Sequence, residues 1–157
     1  MIKTEKAIFA AGCFWHVEDA FRRIKGVISA VSGYTGGATD KPTYEEVCTD
    51  TTGHAEVVEV IFDPKKVSYE KLLALFWSIH NPTQVNRQGP DVGSQYRSAI
   101  FYTTATQKKV AEASLKSEQE KYGQPIATKI MKAQKFWRAE DYHQNYFGKH
   151  GAFVCGV

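Results

Sequence analysis

The chain has 157 residues, 43% of them hydrophobic and 24% charged, which is the balance of one soluble globular unit and excludes a multi-domain assembly, a disordered chain and a fibrous repeat. Twenty lysines and arginines against seventeen acids leave a net charge of +3, spread in ones and twos, too little for a nucleic-acid surface or a polybasic membrane anchor. No run approaches the roughly 18 apolar residues of a membrane helix, and the N-terminal stretch is polar, so a cytoplasmic protein forming a single domain over 1–157 is expected.

Lys6 to Ala11 reads as a strand that runs through Gly12 into a helix over Cys13 to Ile24, because Phe14, Val17, Phe21 and Ile24 recur at helical spacing. Val27 to Tyr34 is a second strand, rich in β-branched residues. It closes on Gly33-Tyr34-Thr35-Gly36-Gly37 and is followed by a polar loop to about Gly53. His54 to Asp63 is a third strand. Ser68 to His80 is an amphipathic helix capped by Ser68, with Leu72, Phe76 and Ile79 on one side, and Asn81-Pro82 stops it. The connection from Asn81 to Arg97 shows no element of its own. Arg97 to Tyr102 is a strand, Gln107 to Tyr122 a charged surface helix and Ile126 to Ala133 a further strand. The β-α-β-β-α-β order over 6 to 102 predicts an α+β fold, a two-layer ferredoxin-like plait built on a split βαβ unit. C-terminal additions complete it: a helix over Glu140 to His150 and an irregular, glycine-flanked tail from Gly151 to Val157.

Three cysteines, Cys13, Cys48 and Cys155, are an odd number and cannot all pair, which argues against a disulfide scaffold and for thiol chemistry in a reducing compartment. Cys13 lies where a strand turns into a helix, and the unpaired N–H groups there favour a thiolate; a nucleophile and a buried inert cysteine are both open readings. Phe14 and Trp15 occupy adjacent helix positions and cannot both point inward, so at least one lies near the thiol or the surface. Strand alternation puts Glu56 on the apolar face of Val58, Val60 and Phe62. Burial there holds a carboxyl protonated as an acid, whereas a strand-end glutamate otherwise reaches water. Asp91 and Tyr96 are the polar candidates of the long connection, with turn chemistry and packing as their alternatives. Tyr44 belongs to the polar loop before Gly53. The five histidines show no HxxxH or HExxH spacing and there is no CxxC, so no metal is expected. His16, three positions after Cys13, either supports a thiolate or sits exposed. Cys155, in the tail, suits a resolving thiol, and Cys48 reads as structural.

Gly12-Cys13-Phe14-Trp15, the Gly33–Gly37 turn, Pro42-Thr43-Tyr44-Glu45-Glu46-Val47-Cys48, Gly53-His54-Ala55-Glu56-Val57-Val58, the loop Gln88 to Ser98 and Ala139-Glu140-Asp141-Tyr142-His143-Gln144 together resemble class A peptide-methionine sulfoxide reductases, block by block and in order. The resemblance implies reduction of methionine (S)-sulfoxide, free or in proteins, as repair after oxidation. In that pattern Cys13 attacks sulfur, Glu56 protonates the oxygen, Tyr44 and Tyr96 hydrogen-bond it, Phe14 and Trp15 hold the methyl group, and Asp91 is a further polar site residue. Cys155 then resolves the Cys13 sulfenic acid to a disulfide that thioredoxin or another dithiol reduces, with no metal or organic cofactor. Many members carry glycine at the place of His16. A monomer without nucleic-acid or membrane partners is expected. Two other readings use part of the same sequence: a thiol peroxidase or general thiol-disulfide oxidoreductase, and a non-catalytic module binding peptides through its aromatic surface.

Overall fold

The computed structural model describes residues 3–150. β1 (Glu5–Ala11) leads into α1 (Phe14–Arg22), then β2 (Val27–Thr35), α2 (Tyr44–Cys48), β3 (Ala55–Phe62) and α3 (Tyr69–Ser78). A hairpin of β4 (Arg87–Gln88) and β5 (Asp91–Val92), followed by a 3-10 turn (Ser94–Tyr96), precedes β6 (Ser98–Tyr102) and α4 (Ala105–Gln119). β7 (Lys129–Lys132), β8 (Trp137–Arg138), a second 3-10 turn (Asp141–His143) and α5 (Tyr146–His150) complete the order.

Six strands form a mixed sheet in the order β7-β6-β1-β3-β2-β8, antiparallel throughout except for the parallel β6–β7 pair. Period-two alternation gives this sheet two buried faces. On one, Ala7, Phe9, Val58, Val60 and Phe62 meet Val17 and Phe21 of α1 and Leu72, Leu73 and Phe76 of α3. Phe9 stacks on Phe21 at 4.8 Å between ring centroids in the centre of the core; each such ring contributes about 1.5–3 kcal/mol on burial. On the other face, Ile8, Ala10, Val57, Ala99 and Phe101 are covered in part by Phe136 and Ala133. That cover reaches the sheet because Gly33 has no side chain: a Cβ there would overlap the Phe136 ring and the Trp137 carbonyl.

α3 and α4 start where side chains cap them. Ser68 Oγ accepts from the Lys71 N–H at the head of α3, and Thr104 Oγ1 from the Gln107 N–H at the head of α4. Three sequence expectations change. The polar loop after β2 contains α2, whose start is a capping box in which Thr43 Oγ1 accepts from the Glu46 N–H and the Glu46 carboxylate from the Thr43 N–H. The connection from Asn81 to Arg97 is organised by the β4–β5 hairpin and the Ser94–Tyr96 turn. Glu140 to His150 is not one helix: it breaks at Asn145, whose φ of 51° is left-handed, into the second 3-10 turn and α5. No helix among the described residues is long and apolar enough to cross a membrane.

Candidate active site

Cys13 is the N-cap residue of α1, at the junction the sequence indicated, and its carbonyl accepts from the His16 and Val17 N–H groups. The chain reaches it through Gly12, whose φ of 96° suits glycine and whose Cβ would come within 2.9 Å of the Gln88 side chain. The connection carrying Asp91 thus packs directly onto the strand–helix turn. A cavity of about 80 Å³ opens beside the thiol, lined by Cys13, His16, Ile79, Gln88 and Asp91 among others. Cys13 and Cys48 form no disulfide with each other.

Glu56 lies on β3 opposite Tyr34 of β2 and is 1% exposed, so its carboxyl does not reach water. Oε1 accepts from the Phe14 N–H at 3.2 Å, the first amide after Cys13, while Oε2 is buried with no partner among the described residues. Burial above all, then the charge of Cys13 and of Asp91, pushes this carboxyl well above its ordinary value, and the Phe14 N–H opposes the shift only in part. A carboxyl so placed favours its protonated form, the form in which it can donate a hydrogen bond. Tyr44 and Tyr96 come from separate connections, and both phenols are pushed up by burial first and by the Glu56 charge next, which keeps them protonated as hydrogen-bond donors. Asp91 is also pushed up, by burial. Phe14 is buried while Trp15 is half-exposed, as adjacent positions on a helix require. Cys13, Phe14, Trp15, Tyr44, Glu56, Asp91 and Tyr96 therefore converge on one place. Cys155 lies outside the described residues.

The sequence profile described as peptide methionine sulfoxide reductase matches residues 5–157. The chain belongs to the peptide methionine sulfoxide reductase family. It is 58% identical to the peptide methionine sulfoxide reductase MsrA of Geobacter sulfurreducens over 153 residues, 96% of this chain and 94% of that protein. To the MsrA of Methanosarcina acetivorans it is 61% identical, over 94% of this chain and 79% of that one. The crystal structure of Mxr1 from Saccharomyces cerevisiae in reduced form matches with a TM-score of 0.92 at 34% identity, covering 98% of this chain and 90% of the yeast chain. Mxr1 in complex with Trx2 matches with a TM-score of 0.66 at 25% identity, covering 92% and 85%.

The reductase site has a second layer that motif reading did not assign. His143, fully buried, accepts the Trp15 indole N–H on Nδ1 at 2.8 Å, which puts the ring proton on Nε2, and its ring lies against Phe14 and Tyr44. Burial holds His143 below the ordinary histidine value, so it stays neutral. Tyr146 stacks on Trp15 at 3.7 Å. Glu140 accepts from the Tyr34 hydroxyl and from the Tyr44 N–H, both at 2.9 Å, and so joins β2 to α2. The only sequence signal for His143 and Glu140 was the block Ala139 to Gln144. Cys48, read as structural, is exposed and lies one helical turn from Tyr44, and burial pushes its thiol up.

Proposed function

We propose that this reductase converts methionine (S)-sulfoxide to methionine through the Cys13 thiol, with Glu56 as the acid. Cys13 sulfur attacks the sulfinyl sulfur while Glu56 Oε2 delivers its proton to the oxygen, and Tyr44 and Tyr96 stabilise that oxygen by hydrogen bonds. The S–O bond passes to Cys13: methionine leaves, and the cysteine becomes a sulfenic acid. Phe14 and Trp15 enclose the S-methyl group, and Asp91 bounds the cavity beside the thiol. The Cys155 thiol then condenses with the sulfenic acid, releasing water and forming a disulfide, and thioredoxin or a similar dithiol reduces it. The sum is one sulfoxide and two thiols giving one methionine, one disulfide and water, with neither metal nor organic cofactor.

The observation that carries this reading is the buried, unpartnered Oε2 of Glu56 on the carboxyl bonded to the amide next to Cys13. A thiol peroxidase has no use for a protonated acid beside an aromatic methyl pocket. We read the β6-β1-β3-β2 portion of the sheet, with α1 and α3 on one face, as a split βαβ plait, supported by its antiparallel pairings, and 1–157 as a single domain. A cytoplasmic monomer fits the cysteine usage.

The test supplies separated S and R methionine sulfoxides with dithiothreitol and follows methionine release. Reduction of the S epimer, abolished by Cys13→Ser, is expected. Reduction of neither epimer, or of R alone, overturns the reading, and peroxide consumption without sulfoxide reduction replaces it with the peroxidase.

A further inference from the structure

Asp50 occupies a backbone position with a φ of 62°, where glycine is free of strain and an L side chain is not. What the side chain does there is visible across the site. Asp50 Oδ1 accepts from the Ser94 N–H at 3.2 Å and from the Ser94 hydroxyl, a contact spanning 44 residues. Ser94 opens the 3-10 turn that carries Tyr96, and the turn's own cap residue, Gly93, makes no side-chain cap bond. Asp50 therefore supplies from another loop the cap that the turn lacks. The other end of the turn is also held. Ser94 O accepts from the Arg97 N–H at 3.1 Å and from Arg97 Nη1 at 3.0 Å, and Arg97 Nη2 donates to Gly53 O at 2.9 Å. Asp50, Ser94, Arg97 and Gly53 close a ring of contacts between the loop that follows α2, with Tyr44, and the loop that carries Tyr96.

We propose that Asp50 is a positioning residue for sulfoxide reduction. It fixes the Ser94–Tyr96 turn so that the Tyr96 hydroxyl meets the sulfoxide oxygen without reorganising, a role that rests on the reading of Tyr96 given above. Tyr96 is half-buried and feels Glu56, Cys48, Asp91 and Cys13, so a small rotation of its turn changes its place in the site.

The test measures single-turnover methionine release from methionine (S)-sulfoxide for the full chain and for Asp50→Gly, Asp50→Asn, Tyr96→Phe and the Asp50→Gly/Tyr96→Phe double variant. Glycine suits the backbone at this position, so Asp50→Gly folds and melts within a few degrees of the parent. Its rate is expected to fall about three- to tenfold, the scale of one lost hydrogen bond. Asp50→Asn, which keeps the accepting oxygen and tolerates the same φ, retains the parent rate. In the Tyr96→Phe background Asp50→Gly costs nothing further, because both act through one hydroxyl. An Asp50→Gly rate equal to the parent, no rescue by Asn, or the same loss in both backgrounds overturns the role of Asp50 and leaves that of Tyr96 standing. A Tyr96→Phe rate equal to the parent overturns both.

Discussion

Glu56 sits where a charge is costly, and the same burial on which its proposed role as an acid rests weakens the fold. Below about pH 4.5 the carboxyl is protonated in the folded and the unfolded chain alike. Above its ordinary value of 4.5 the unfolded chain releases the proton while the folded chain, with its raised pKa, retains it. The native state then binds more protons, and stability falls as pH rises toward the folded pKa. Glu56→Gln fills the same space with a neutral group and escapes that loss. We expect it to slow sulfoxide reduction by about 10²- to 10⁴-fold, the usual worth of a general acid. The same variant should melt higher than the parent at about pH 8 and equally near pH 4. Thermal melts across that range check the linkage; a variant no more stable at high pH than at low would show that Glu56 is ionised in the fold. In the parent, the reduction step should decline with rising pH as Glu56 loses its proton, and Glu56→Gln should lose that limb of the profile. At this scale the sequence was informative because Cys13 and Glu56 break their local patterns, one a thiol at a helix start and the other a carboxyl on an apolar strand face. His143 and Glu140 break none, and their partners Trp15 and Tyr34 lie 128 and 106 residues away.

Among the elements, α2 is a five-residue helix that bears on the proposed chemistry, because its first residue is Tyr44. Five residues carry no apolar period and cannot nucleate alone, so the capping box is the main local force that makes this segment helical. Thr43→Ala removes the acceptor for the Glu46 N–H and should cost about 0.5–2 kcal/mol. Because the loss falls on the turn holding Tyr44, reduction of methionine sulfoxide should slow as well, and Thr43→Ser should restore both properties. Urea unfolding alongside single-turnover rates tests this; parent values of both for Thr43→Ala would mean that the Tyr44 N–H contact with Glu140 holds the helix instead. The same length argument explains which elements were legible. α1 and α3 declare themselves by Phe14, Val17 and Phe21 and by Leu72 and Phe76, buried at helical spacing. β8, two residues long, exists because Gly33 and Tyr34 pair with Arg138 and Trp137, a tertiary event with no local period. The Thr43 to Glu46 spacing was the one readable sign of α2.

Across the whole molecule, the segment after β7 acts as a clasp that returns to the N-terminal half and braces the site from behind. Gln144 is its firmest point. Its Oε1 accepts from the Ser32 N–H at 3.0 Å, and its Nε2 donates to Ser32 O at 2.8 Å and Ala139 O at 3.0 Å, so the side chain extends the edge of β2 as a strand residue would. One residue on, the Asn145 N–H donates to the buried carboxylate of Glu18, which also accepts from Ser32 Oγ and Arg22. β2, α1 and the clasp are thereby locked together, and His143, immediately before Gln144, is held against Trp15. Gln144→Ala strands the Ser32 N–H, and Ser32 is fully buried, so water cannot replace the lost acceptor. We expect a loss of about 1–3 kcal/mol in urea unfolding, the penalty for a buried unsatisfied amide. If the clasp positions Trp15 through His143, the same variant should also weaken sulfoxide binding, seen as a higher KM with a smaller change in kcat. Loss of stability with an unaltered KM would confine the clasp to folding and leave Trp15 positioned by α1 and Tyr146 alone.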